Sequence, residues 1–207
     1  MRKMKIDKYK IIFKIITICK DYFMVFEKAI FGIISHSSFM WINALYSGFL
    51  GTARAMCIKH IKSEHEKQII VYKKVAILLI LASIVYTIYN SYSLFNGRTT
   101  NYHLYVCLMI ATFTFAEFGL SIRELIKVRK INNSITKALA YISFSSILGS
   151  FVLTQTVLTA LHPEENHSTG NGITALIFGG IMLITGLVMI YNKKNLKGSD
   201  TFESSNL

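Results

Sequence analysis

Apolar positions dominate four long stretches of the chain, and polar positions collect in the connections between them. Residues 75–94, 138–161 and 173–191 carry no charged side chain, and residues 102–122 carry one acid, Glu117. A helix needs about 20 apolar residues to cross the ~30 Å hydrocarbon core of a bilayer, and each stretch has that length. The only other way to satisfy backbone groups in lipid is a closed barrel. Barrel strands alternate with period two, and these runs do not. The pattern predicts an all-α fold, a polytopic transmembrane helix bundle with four spans and an N-terminal amphipathic helical segment.

The connections predict orientation. Residues 95–101 hold one cation, Arg98, whereas residues 123–137 hold Arg123, Lys127, Arg129, Lys130 and Lys137. Residues 162–172 hold no Lys or Arg and two acids, Glu164 and Glu165, and Lys193, Lys194 and Lys197 follow the last run. Cationic loops stay cytoplasmic, so four spans with both termini inside give a consistent alternation. Tyr72 and Tyr191 then fall at the inner interface and Tyr92, Tyr102 and Tyr105 at the outer one.

Residues 1–74 read differently. Lys3, Asp7, Lys10, Lys14, Thr17, Asp21 and Lys28 recur at helical spacing on one face, with Ile12, Ile15, Ile16, Cys19, Phe23, Phe26 and Ile30 opposite. Such a helix is expected either to lie in the interface with its cations toward anionic headgroups or to dock on the cytoplasmic ends of the bundle. Residues 29–53 are free of charge. As a lone fifth span they would put the eight Lys and Arg residues of positions 1–28 outside. As half of a spanning hairpin they would oblige the preceding helix to immerse Lys14, Lys20 and Asp21, at a few kcal/mol each. A re-entrant or partly buried helix is therefore expected, with residues 61–74 leading into the first span and residues 193–207 forming a cytoplasmic tail.

Composition agrees with this picture. Apolar residues make up 52% of the 207 and charged residues 16%, below the roughly one quarter of soluble domains. The net charge of +12 sits beside the apolar runs. It is expected to meet anionic lipid on the cytoplasmic side, not nucleic acid. Cys19, Cys57 and Cys107 lack metal spacing and read as apolar filler. The basic start is not followed by a compact apolar run and cleavage site, so no cleaved signal is expected.

Within the spans, Glu117 is the most informative residue, because an ionisable group inside a span points to function. Its place, about one and a half turns above the cytoplasmic end of its span, also allows a structural pair, and Arg54 at similar depth is the expected partner. Ser143, Ser146, Ser150 and Thr154 form a polar stripe flanked by Gln155, and Gly179 and Gly186 stand seven apart. These predict helix packing through small residues or, alternatively, the lining of a path. The outer loop gathers His162, Glu164, Glu165 and His167 in no strong zinc pattern, so no metal is expected. No phosphate loop, HExxH, GxSxG or CxxC occurs, and neither a catalytic residue nor a cofactor is predicted.

Trp41, Ala44-Leu45-Tyr46, Leu50-Gly51 and Arg54, then Ala111-Thr112-Phe113-Thr114-Phe115, then Leu153-Thr154-Gln155-Thr156 carry a resemblance. The stretch from Trp41 to Tyr191 resembles an uncharacterised family of bacterial multi-pass membrane proteins. The resemblance implies a bacterial inner or plasma membrane protein and no particular activity. Glu117 departs from it, standing where the family carries a basic residue. The expectation from the sequence is a non-enzymatic accessory, regulatory or protective subunit acting through helix association, as a homo-oligomer or with a membrane-protein partner. The rivals are a small oligomeric transporter or channel for protons, cations or a small solute, and a membrane enzyme acting on lipid.

Overall fold

The computed structural model describes the backbone of residues 2–96, 104–128, 133–160 and 168–203, and most side chains within 18–94, 104–126, 133–160 and 169–191. Its elements are six helices: α1 (Arg2–Ile34), α2 (Ser38–His60), α3 (His65–Asn96), α4 (Leu104–Val128), α5 (Ser134–Thr159) and α6 (Ser168–Glu203). No strand occurs among the described residues. Four helices are long and apolar enough to cross a membrane, over His65–Tyr92, Leu104–Arg123, Ser134–Thr159 and Thr169–Tyr191. These are the four runs read from the sequence. The charged lead-in after residue 64 is continuous with the first of them, so α3 is 32 residues long, about 48 Å at 1.5 Å per residue.

Helix ends follow local chemistry. Ser37 caps α2, its hydroxyl accepting from the Met40 amide, and Asn133 caps α5 by accepting from the Ile135 amide at 2.8 Å. His36 adopts φ 48° between α1 and α2, the left-handed residue that lets a helix stop and the chain reverse. The turn from α2 into α3 is closed by Gln68, whose side-chain amide donates to the Ser63 carbonyl at 2.9 Å and the Ile61 carbonyl at 3.3 Å.

The structure adds most to the sequence reading at α1 and α2 (Arg2–His60), where α2 is partly buried, against α3 and α5. α1 and α2 make an antiparallel hairpin packed along the bundle. α2 stays level with α3 over its length: Phe39 lies 6.4 Å from Tyr89, and Tyr46 lies 5.2 Å from Tyr86. Phe31, Phe39, Met40, Tyr46, Leu50 and Cys57 belong to the same apolar core as Tyr72, Leu79, Ile142 and Met182. Residues from Phe31 to Tyr72 thus contribute to the same core as the four apolar helices, and Tyr72, expected as an interfacial ring, is buried.

In its described part, α1 is amphipathic as expected but turned the other way. Asp21, Glu27 and Lys28 are buried, while Phe23, Ile30, Ile33 and Ile34 are exposed and Phe26 is 65% exposed. A helix in an aqueous interface would bury the phenylalanines and release the charges. A helix bounded by lipid does the reverse, because the bundle interior supplies the only counter-charges.

The helices form two facing rows. α2 packs between α1 and α3, and α5 packs between α4 and α6. Across the rows α3 faces α6 and α2 faces α5, while α1 faces α4 through Phe23, Phe31 and Lys28. Each helix therefore meets the one three places later, and three helices per row make the rows opposite in direction. α3 and α4, consecutive in the chain, make no extensive contact among the described residues.

The α3–α6 edge is the tightest. Gly172, Gly179 and Gly186, spaced by seven, oppose Leu94, Thr87 and Ile80, also spaced by seven. A Cβ at these glycines would lie 2.8 Å from Leu94 Cδ1, 2.5 Å from Thr87 Oγ1 and 2.6 Å from Ile80 Cγ1. Such a seven-residue repeat keeps one face on its partner as two helices cross at a small angle. At Gly186 the backbone of Ile80 and Ala76 is also within 3.4 Å. Gly186→Leu should therefore push α3 and α6 apart and cost about 1–3 kcal/mol. Thermal unfolding in detergent checks this, and an unchanged midpoint would refute the seam.

Candidate functional site

Most hydroxyls and amides in the apolar helices are self-satisfied. Ser83, Thr112, Thr114, Thr156 and Thr185 donate to the carbonyl four residues earlier, and Asn43 and Asn90 do the same. This is how a polar side chain is accommodated in a dry helix. A second set turns inward. Ser47 of α2, Ser121 of α4 and Ser143 and Ser146 of α5 reach across helices, and all converge on charged groups.

Two ion pairs organise the convergence. In the upper pair, Lys28 Nζ donates to Glu117 Oε2 at 2.8 Å and to Ser47 Oγ at 2.8 Å. The Ser146 hydroxyl donates to Glu117 Oε1 at 3.3 Å, and Ser121 donates to Ser146 at 3.2 Å. In the lower pair, Arg54 donates to Asp21 Oδ1, Lys20 lies 3.4 Å from the same oxygen, and Arg54 reaches the Ser143 hydroxyl at 3.4 Å. Arg54 is 2% exposed. Lys28 with Glu117 and Arg54 with Asp21 are matched pairs; the partly exposed Lys20 stands beside the second, and the buried Glu27 adjoins the first. Pairing makes burial of these four charges tolerable, since each alone would meet a low dielectric uncompensated.

The expected Arg54–Glu117 pair is not the one formed. Both residues enter the cluster, but each takes its counter-charge from α1. Depth along the chain alone does not identify Asp21 and Lys28 of α1 as these counter-charges. Glu117 lies six residues before the end of the apolar span Leu104–Arg123, under two helical turns, and its partner Ser146 lies near the middle of α5.

The polar stripe of α5 divides. Ser143, Ser146 and Ser150 are buried, and the first two bond to the cluster. Thr154 turns back to the Ser150 carbonyl at 2.9 Å, and Gln155 donates to Thr174 of α6 at 3.2 Å. Both line a side groove of about 340 Å³ walled by Phe115, Phe118 and Phe151. Gly179 and Gly186 lie at the α3–α6 edge, away from the charges. His162, Glu164, Glu165 and His167 lie outside the described residues.

The sequence pattern places Asp21 and Lys28 on the polar stripe of α1 and does not single out Glu27, Ser47 or Ser121. A signal was present: a charge-free stretch preceded directly by Asp21, Glu27 and Lys28 needs counter-charges if it inserts, and Arg54 and Glu117 are the residues that supply them.

Tyr46 ties the two rows at the centre. Its hydroxyl donates to the Ser145 carbonyl at 2.8 Å, and its ring fills the space over Gly149, where a Cβ would lie 2.7 Å from Tyr46 Cε1. The small residues of α5 and α6 thus close the rows on each other within one chain.

The chain matches no protein-family model, and no curated protein resembles it significantly in sequence. Function is therefore argued from this geometry. Among the described residues, no group of three His, Cys, Asp or Glu is placed to hold a metal ion. What the cluster offers is a buried set of carboxylates, cationic side chains and hydroxyls between two rows of opposite direction.

Proposed function

We propose that the chain is a small carrier that moves protons, a monovalent cation or a small charged solute across a membrane, through the cluster between its two rows. The observation behind this reading is the buried network of Lys28, Glu117, Asp21 and Arg54 between the two rows. Ionisable groups enclosed among apolar helices are costly and by default functional. Opposed helical units meeting at a polar site are a recurring carrier plan, a likeness of arrangement alone.

The small-residue positions Gly149, Gly179 and Gly186 are occupied by Tyr46, Thr87 and Ile80 of the same chain, so these seams lend their support to packing within one chain rather than to an association subunit. In the proposed setting the membrane is the plasma or inner membrane of a bacterium, as the resemblance implies. Both termini are cytoplasmic, beside anionic lipid, as the distribution of Lys and Arg indicates.

The test is flux. Purified full-length protein in liposomes, with pH- and potential-sensitive dyes, should move protons, Na⁺ or K⁺ down imposed gradients. A Lys28→Met/Glu117→Met double variant that stays folded should lose that flux. Well-folded wild type that moves none of these ions would sink the ion-carrier form of the proposal.

A further inference from the structure

Glu27 stands apart from the pairs around it. Its side chain is buried, the residue being 8% exposed, and its Oε1 accepts no hydrogen bond. Phe23 and Phe31, four residues before and after it, both lie against Phe113 of α4, at 6.3 and 6.5 Å between ring centroids. Residues spaced by four share a helix face, so Glu27 looks toward α4. Phe113 and Glu117 share the opposing face of α4 by the same spacing. Glu27 is thus held in the α1–α4 seam beside the Lys28–Glu117 pair.

The charged groups around this seam are Lys20, Asp21 and Lys28 on α1, Arg54 on α2 and Glu117 on α4. α5 contributes hydroxyls, Ser143, Ser146 and Ser150. The cations have other partners: Lys28 is engaged by Glu117 and Ser47, while Arg54 and Lys20 converge on Asp21. A carboxylate oxygen with no donor in so dry a place is expensive, and a second carboxylate stands close by. A carboxylic acid carrying its proton is neutral and needs no counter-charge, so it removes that local cost. The seam also differs from the opposite edge. α3 and α6 close at backbone distance over glycines, whereas α1 and α4 meet through long side chains. An opening of the rows about the α3–α6 edge would expose Glu27 first.

We propose that Glu27 is a proton-binding site, holding a proton while the α1–α4 seam is closed and exchanging it with water when the seam opens. This deepens the carrier reading, and rests on it, by naming the proton as the coupling ion.

The experiment is carbodiimide labelling of the full-length protein in membranes. A hydrophobic carbodiimide reacts with a protonated carboxyl. The acid adds across one C=N bond, its proton passes to nitrogen, and the acyl shift leaves a stable N-acylurea that peptide mass spectrometry locates. Label is expected on Glu27 at about pH 6, falling several-fold by about pH 9. Glu117, held as the ionised partner of Lys28, should stay unlabelled.

Glu27→Gln, which mimics the protonated group, should fold, take no label at this position, and lose the decline in thermal stability that the wild type is expected to show as pH rises from acid to neutral. The sign follows from linkage: a group that must hold its proton to fit the fold stabilises at low pH and loses that contribution as pH rises. Absence of label on Glu27 at every pH, in protein that remains folded, overturns the proposal. So does label that Na⁺ abolishes at constant pH, because a metal cation would then be the occupant. Label that persists without any ion flux upholds the proton site and removes the carrier reading, so the two failures are distinguishable.

Discussion

Lys28→Met should destabilise the protein by about 3–5 kcal/mol, whereas Lys28→Met combined with Glu117→Met should recover most of that loss. The asymmetry follows from the surroundings. Lys28 and Glu117 are both buried, and the Lys28 ammonium is the cation bonded to Glu117. Removing Lys28 leaves Glu117 with the Ser146 hydroxyl at 3.3 Å, too weak a partner to compensate an ionised carboxylate. Removing both charges leaves apolar side chains of similar length in a site already walled by Phe31 and Phe113. Unfolding in mixed detergent micelles would measure all four corners of the cycle. A double variant as unstable as the worse single would show that the pair does not act as a unit. This cycle also separates two meanings of the pair. If its purpose is only to insert α1, the double variant should be stable and fully active. If it belongs to the transport path, the double variant should be stable and inactive.

The four apolar helices were legible because their signal is local. About 20 consecutive residues with little or no charge have one common fate in a bilayer, and α3, α4, α5 and α6 follow. α1 was legible as a helix but not in its placement. Its charged stripe reads identically whether it faces water or a buried counter-charge, and the counter-charges lie in residues distant in the chain. Asp21 is 33 positions from Arg54, and Lys28 is 89 positions from Glu117. The penalty for immersing Lys14, Lys20 and Asp21 assumes lone charges, and for Asp21 the buried Arg54 guanidinium offsets part of it. The rows were invisible for a related reason. Nothing in the sequence of α1–α3 repeats in α4–α6; the likeness lies in which helices touch. Gly179 and Gly186 were recognisable as a packing seam by their spacing, but their partners Thr87 and Ile80 were not.

Arg54→Met should likewise cost about 3–5 kcal/mol, and its coupling should be to Asp21, not to Glu117. A guanidinium is the natural cation for this position. It stays charged, and its planar fork can reach the Asp21 carboxylate and the Ser143 hydroxyl together. Arg54→Lys keeps the charge and loses the fork, so it should recover only part of the stability. Asp21 Oδ1 is shared with Lys20, which is less buried than Arg54, and that second cation softens the loss when Arg54 is replaced.

Double-mutant cycles give the deciding measurement. Residues in one ion pair couple by about 0.5–3 kcal/mol, whereas independent sites add within a few tenths. Arg54 and Asp21 should fall in the first range. Arg54 and Glu117, which belong to different pairs, should couple more weakly. A larger coupling between Arg54 and Glu117 than between Arg54 and Asp21 would restore the pairing expected from depth alone. It would also mean that α1 does not enter the bundle in this register, and the cluster would lose Lys28 and Glu27 together.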